Sequence, residues 1–286
     1  MAKDSSSPPP LGAARIRRTR VSSAHPDAAP ELDHVAIEEP LGVRVQGHDY
    51  AILMCTPGRE EDLACGFLAA EGLLSGSEDL SAIAPCAPRG GEEDMGRMFN
   101  VALASGVAFD PSAHQTRMVA SSCGLCGGKT VADLRQAAPH RTPAPPAQLA
   151  VSDMLEAFRT LQKAQDLFAL TAGCHGAALV RADAKGPLLD VAEDVGRHNA
   201  VDKLLGARLR AGDYPLAAPT ALLVSGRLSY ELVQKAVLAG LSWIAGVGMP
   251  SSLAIEAAEA TQLGLFAWVR DAGVSAYAGR TRFVMT

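Results

Sequence analysis

Thr220-Ala221-Leu222-Leu223-Val224-Ser225-Gly226-Arg227-Leu228-Ser229-Tyr230 decides the fold class. An apolar run closes on a Ser-Gly-Arg turn, and Ser229 can cap a helix running from Tyr230 to Ala239. A strand this continuously apolar is one buried on both faces. The same unit recurs at once: strand Trp243-Ile244-Ala245-Gly246-Val247, turn Gly248-Met249-Pro250-Ser251-Ser252, then a helix from Leu253 to Gln262. After Gly264 a last strand, Leu265-Phe266-Ala267-Trp268-Val269, leads into Arg270-Asp271-Ala272-Gly273. Repeated strand, small polar turn and helix units predict an α/β protein with helices packed on a mainly parallel sheet. Arg227, at a glycine turn beside a helix start, suits a phosphate, with backbone N–H groups contributing.

Upstream, Val191-Ala192-Glu193-Asp194-Val195-Gly196-Arg197-His198-Asn199-Ala200-Val201-Asp202-Lys203-Leu204 is the densest polar cluster in the chain. It falls where a strand turns into a helix, the place at which open α/β sheets put ligands, and the variety of groups favours a ligand or active-site role over an ion-pair network capping the helix. Thr171-Ala172-Gly173-Cys174-His175-Gly176-Ala177-Ala178-Leu179-Val180 passes from a small-residue turn into a strand, and the glycines around His175 point to a close approach there. Before it, Ser152 caps an amphipathic helix carrying Met154, Leu155, Phe158, Leu161 and Phe168 at helical spacing. Pro139, Pro143, Pro145 and Pro146 make a stiff connector ahead of that helix.

The first half reads differently. Val35-Ala36-Ile37, Val43-Arg44-Val45, Tyr50-Ala51-Ile52-Leu53-Met54 and Phe99-Asn100-Val101-Ala102-Leu103 have strand character, with a charged, glycine-rich loop from Ala82 to Arg97. Thr56-Pro57-Gly58-Arg59-Glu60-Glu61-Asp62 opens a helix that Thr56 can cap, with Cys65 buried in it and Gly72 near its end. The Ser- and Pro-rich start, with the basic segment Arg15-Ile16-Arg17-Arg18-Thr19-Arg20, predicts a mobile, solvated tail. The expected organisation is a tail over 1–30, a strand-rich subdomain over 31–120, a thiol loop, helix and connector over 121–148, and an α/β domain over 149–286.

Between the halves stands Ser121-Ser122-Cys123-Gly124-Leu125-Cys126-Gly127-Gly128-Lys129-Thr130. Its glycines predict a bent loop that presents sulfur, and Lys129 with a helix start beyond it favours thiolate over thiol. Structural zinc, dithiol redox chemistry, persulfide formation and plain packing all use such a pair. Zinc lacks a second Cys-x-x-Cys, because Cys55, Cys65, Cys86 and Cys174 are dispersed, so no metal site is expected. A thioredoxin-type motif would need a strand directly before Cys123, and Met118-Val119-Ala120 is only a short apolar run.

With 286 residues, 48% hydrophobic and 20% charged, the chain has globular composition. No apolar stretch reaches the length of a membrane span. A net charge of −5 and a pI near 5.8 leave no electrostatic footprint for nucleic acid. Six cysteines without a secretory signal are expected to be reduced thiols of a cytoplasmic protein.

Taken together, several stretches resemble the FdhD family, the sulfur-carrier accessory proteins of formate dehydrogenase. They are Cys55-Thr56-Pro57-Gly58 with Glu61-Asp62-Leu63, Ser122-Cys123-Gly124-Leu125-Cys126-Gly127, His175-Gly176-Ala177-Ala178-Leu179, Glu193 to Lys203, Ser225-Gly226-Arg227 and Glu231-Leu232-Val233-Gln234-Lys235. The resemblance implies a cytidine-deaminase-like layered α/β domain beside the smaller strand-rich one. It implies a sulfurtransferase that passes sulfur from a cysteine desulfurase, as a persulfide on Cys123 with Cys126 as helper or alternate carrier, to bis-molybdopterin guanine dinucleotide before insertion into the formate dehydrogenase apoenzyme. Cofactor binding then falls to Trp268-Val269-Arg270-Asp271-Ala272-Gly273, where the family's usual wording opens on phenylalanine and closes on a further basic residue, and to Arg227, Arg197, His198 and His175. Zinc deaminase chemistry is not implied: His175 is followed by Gly176 and Ala177 rather than the required glutamate, and Ser122 stands where proline precedes the first cysteine. A homodimer is left open, and so is a cofactor-binding chaperone whose thiols only sense redox state.

Overall fold

The computed structural model describes residues 8–20, 29–87, 96–113, 117–119, 130–137, 149–181, 188–217, 220–270, 273–279 and 283–284. Its centre is a six-stranded sheet of β9 (His175–Arg181), β10 (Leu188–Asp194), β11 (Thr220–Val224), β12 (Trp243–Gly246), β13 (Gly264–Arg270) and β14 (Gly273–Ala278), in the order β10-β9-β11-β12-β13-β14. Side chains alternate across it. Leu179, Leu222, Val224, Ile244 and Leu265 enter the main core, while Val180, Leu223, Trp243 and Phe266 enter a second cluster on the other face. Helix α5 (Arg197–Arg210), α6 (Tyr230–Leu238) and α7 (Ser252–Ala260) contribute to the first, and α3 (Val151–Lys163) covers the second with Met154, Phe158 and Leu161. Burial on both faces is why these strands are apolar throughout.

The sheet is mixed rather than mainly parallel. Strands β11, β12 and β13 are parallel, but β10–β9, β9–β11 and β13–β14 pair antiparallel. Helices α5, α6 and α7 link β10 to β11, β11 to β12 and β12 to β13 and return the chain in the same direction each time, whereas β9 and β10 join within a few residues, as antiparallel partners do. The C-terminal ends of β10, β11, β12 and β13 and the N-terminal ends of β9 and β14 therefore meet along one edge.

The N-terminal half forms a five-stranded sheet, β5-β6-β3-β4-β7, from β3 (Glu39–Val45), β4 (His48–Cys55), β5 (Leu80–Pro85), β6 (Arg97–Leu103) and β7 (Arg117–Val119). Strand β5 occupies the start of the expected loop, because β6 offers it an edge that local sequence does not announce. The expected tail is likewise structured in part. β1 (Ala13–Arg18) pairs antiparallel with β2 (Glu31–Ala36), and Arg18 bridges Glu31 and Asp33 at 3.2 and 2.9 Å, so acidic residues of the partner strand offset the basic run. The short β8 (Leu149–Ala150) pairs with β15 (Phe283–Val284).

Two helix expectations are also corrected. The amphipathic helix ends at Lys163 and a second, α4 (Asp166–Thr171), carries Phe168; the Glu193 carboxylate accepts from Leu167 N and Phe168 N at 2.9 and 2.8 Å and so starts a new helix. Ser152 does not cap α3, whose N-cap is Ala150. Helix α1 (Glu60–Glu71) begins after Arg59 rather than at Thr56, which has another task.

That task is to join the two halves. Asp194, at the end of β10, has no exposed surface, and its carboxylate is fully used. Oδ2 accepts from Thr56 N at 3.0 Å and pairs with Lys203 Nζ at 2.8 Å; Oδ1 accepts from Gly196 N and Asn199 Nδ2, both at 2.9 Å. Lys203 also donates to the carbonyls of Thr56 and Glu193, and Thr56 Oγ1 accepts from Val195 N. Next to this network α1 and α5 cross with backbones in contact: a Cβ on Gly66 would overlap the Asp202 carbonyl, and one on Gly206 the Asp62 carbonyl. The polar cluster at 193–203 is thus largely an internal network, since Asp202 is also taken, by buried Lys235 at 2.5 Å.

Lys203→Met should cost about 3–5 kcal/mol in denaturant unfolding, because it leaves a buried carboxylate without its cation. Gly206→Val should cost at least about 1–3 kcal/mol by forcing the helices apart. Wild-type stability in either variant would contradict these roles.

Candidate functional site

The shared edge of the six-stranded sheet collects groups that are far apart in sequence. Cys174 and His175 open β9, Arg197 and His198 follow β10, Ser225 and Arg227 follow β11, Val247 and Gly248 follow β12, and Val269 and Arg270 end β13. A cavity of about 560 Å³ opens there, walled by Phe158 and Gln162 of α3, Gln165 before α4, Phe168, Cys174, His175, Ser225, Val269 and Arg270. Its volume lies in the usual range for small-ligand sites, and its wall mixes aromatic rings with amides and a guanidinium.

Beside the cavity three basic side chains converge on the Gly226 turn. A Cβ on Gly226 would stand 3.2 Å from Arg197 Cδ and 3.5 Å from His175 Nδ1, so the absence of a side chain lets both approach the backbone. Burial, then Arg197 and Arg227, hold the His175 pKa below its ordinary value and keep the ring neutral. Burial and Arg227 likewise lower that of Arg197. Neither arginine makes a hydrogen bond or ion pair among the described residues, and Arg197 Nε is buried without a partner. Two guanidinium groups that no described carboxylate bonds, with Glu231 near enough only to act on Arg197 through its field, stand next to an uncharged imidazole and form a place for an anion.

Arg270 is differently employed. Its Nη1 donates to the Val247 and Val269 carbonyls at 3.0 and 2.9 Å, and the guanidinium lies 4.3 Å from the centre of the Trp268 ring. Trp268 is half exposed with φ 56° and does not line the cavity, whereas Gly273 pairs with Arg270 at the start of β14. His198 is buried behind the arginines, its pKa pushed down to about 3 by burial, Lys235, Arg197 and His175. Cys123, Cys126, Asp271 and Ala272 lie outside the described residues.

Sequence reasoning missed Gln162, Gln165 and Cys174. Gln165 is buried, with its amide packed over Gly176, a placement that depends on a strand further along the chain. Cys174 faces the cavity as a thiol, burial having pushed its pKa up to about 11, and Cys55 and Cys65 are raised to about 12 by the same cause. These three are poor nucleophiles at neutral pH. Among the described residues no group of three or more His, Cys, Asp or Glu side chains is arranged to hold a metal, and no helix is long and apolar enough to cross a membrane.

The sequence profile of the FdhD/NarQ family matches residues 36–284. The chain is 42% identical over 266 residues to the sulfur carrier protein FdhD of Anaeromyxobacter sp. (strain K), a match that covers 89% of this chain and 90% of that protein. It is 41% identical over 268 residues to the sulfur carrier protein FdhD of Mycolicibacterium paratuberculosis, covering 92% and 96% respectively. In three dimensions it resembles a crystal structure described as a formate dehydrogenase accessory protein from Desulfotalea psychrophila, with a TM-score of 0.72 at 22% identity over 96% of this chain and 100% of that one, which shows a common fold. With a profile match across β3 to β15 and relatives this similar over nearly their whole length, the chain belongs to the FdhD/NarQ family.

Proposed function

We propose that this chain is a sulfur carrier for formate dehydrogenase, taking sulfur from a cysteine desulfurase and delivering it to bis-molybdopterin guanine dinucleotide before that cofactor enters the apoenzyme. The observation that carries the reading is the anion-ready cluster of Arg197, Arg227 and His175 beside a ligand-sized cavity, in a member of a family whose relatives are named sulfur carrier proteins. The residues suit the cofactor: phosphates match the two arginines whose guanidinium groups no described carboxylate bonds, and a purine fits a wall of Phe158, Phe168, Gln162 and Gln165. The mixed sheet with helices on both faces is in keeping with the deaminase-type layering that the family resemblance implies.

In this account the Cys123 thiolate attacks the outer sulfur of a persulfide on the desulfurase. One S–S bond forms, one breaks, and the donor leaves as a thiolate, so no oxidant is needed. Cys126 serves as helper or alternate carrier. Two described elements anchor the segment that holds them: β7 pairs with β4 on one side, and α2 (Val131–Ala137) buries Leu134 in the main core on the other. Burial raises the thiol pKa of Cys55, Cys65 and Cys174 and makes these three poorer carriers than cysteines set beside Lys129. The cofactor is the acceptor, and the chain's part is to hold its nucleotide end at the sheet edge.

Cys123→Ala should abolish persulfide-dependent activation of formate dehydrogenase while the protein stays folded; full activation would remove the carrier assignment, and loss only in the Cys123→Ala, Cys126→Ala double variant would mean that the two thiols share it. Arg197→Ala or Arg227→Ala should weaken guanosine diphosphate binding by about tenfold to a hundredfold in titration calorimetry, the loss of a hydrogen bond between charged groups. Arg270→Ala should cost less, since carbonyls already occupy that guanidinium. Unchanged affinity in all three would move the nucleotide elsewhere.

A further inference from the structure

The start of α6 departs from ordinary helix capping. Ser229 is the N-cap residue, yet its hydroxyl accepts from no amide of the first turn; Oγ lies instead 3.1 Å from Nε2 of His198. A serine cap is worth about 1 kcal/mol to a helix. At α7 Ser251 does cap, accepting from Ala254 N at 3.2 Å. The Ser229 hydroxyl has been drawn away from that role by a histidine on another helix.

The state of that histidine follows from its surroundings. His198 is 8% exposed, and Nδ1 is buried with no partner among the described residues. A proton on Nδ1 would be a buried donor with nothing to receive it, a rarer condition than an acceptor left without a donor. The ring is neutral, because burial and the charges of Lys235 and Arg197 oppose a second proton. Its one proton therefore sits on Nε2 and is given to Ser229 Oγ. Glu231 Oε2, 3.9 Å from the same nitrogen, is beyond hydrogen-bond reach. With Oγ accepting from the imidazole, the serine's own hydrogen has no acceptor among the described residues. Ser229 is half-buried and two residues past Arg227.

We propose that His198 is a positioning residue that, through its Nε2–H, holds Ser229 so that the serine hydroxyl gives its hydrogen to a ligand oxygen beside Arg197 and Arg227. The inference rests on the reading that this edge binds the phosphates of a guanine nucleotide. It adds an uncharged donor to the two cations, and it explains why a buried histidine follows Arg197 without facing the cavity itself. A role confined to packing would leave the choice between guanosine and its diphosphate untouched.

The test is titration calorimetry of guanosine diphosphate and of guanosine with Ser229→Ala, His198→Ala, the double variant and His198→Gln, together with nitrogen NMR of the His198 ring. Ser229→Ala should weaken the diphosphate about three- to tenfold, the worth of one hydrogen bond, and leave guanosine unchanged. His198→Ala should show the same loss, the double variant no more than either single one, and His198→Gln, whose amide can donate, a partial recovery. The ring should carry its proton on Nε2. Diphosphate affinity unchanged in Ser229→Ala, losses that add in the double variant, equal loss for guanosine, or a proton on Nδ1 would each overturn the proposal. If His198→Ala does not fold, Ser229→Ala and His198→Gln decide by the same comparison. Wild-type protein that fails to bind guanosine diphosphate would instead overturn the nucleotide reading, and this inference with it.

Discussion

A carboxylate with no access to water is tolerable only if every lone pair is answered, and the burial of Asp194 imposes that condition on three parts of the chain at once. Thr56 must come from the end of β4, Gly196 and Asn199 from the start of α5, and Lys203 from one turn further along. Satisfying one charge therefore fixes how the five-stranded sheet sits against the six-stranded one. It also fixes the direction in which α5 leaves β10, and with it the position of Arg197 and His198. The glycines at the α1–α5 crossing hold the same two halves together, since bare backbone there lets the two helices touch.

The strand directions then determine what the edge can do. Because β10 to β13 run alike while β9 and β14 run against them, Cys174, His175, Arg197, Arg227 and Arg270 come to one side of the sheet. Coils of this kind carry function on a rigid frame. The frame here is buried on both faces and holds Arg197, Arg227 and His175 together with no described carboxylate bonded to either guanidinium, so an anionic ligand would meet free donors there.

Much of this was legible in the sequence, for physical reasons. β11, β12 and β13 were readable because burial on both faces leaves an unbroken apolar run between glycine turns. Arg227 stood out as a basic group at a glycine turn, His175 by the glycines around it and Arg197 by its place after a strand, whereas Arg270 was pointed out by the family resemblance. The roles of Asp194, Asn199 and Lys203 were not readable, because a ligand site and a buried network draw on the same residues and differ only in burial, which the whole fold decides. The break between α3 and α4 was hidden for a similar reason: its cause, Glu193, lies on another strand. β1 was concealed by its basic composition, and its acidic partner strand is the part that a local reading discounts.

The central claim is that this chain carries sulfur as a persulfide on the cysteine pair rather than merely holding a cofactor. Intact mass spectrometry after incubation with a cysteine desulfurase and cysteine tests it most directly. The account predicts the addition of one sulfur atom, located on Cys123 by peptide mapping and removed by a reductant. An unchanged mass, with the desulfurase shown to be loaded with persulfide in the same reaction, would contradict it.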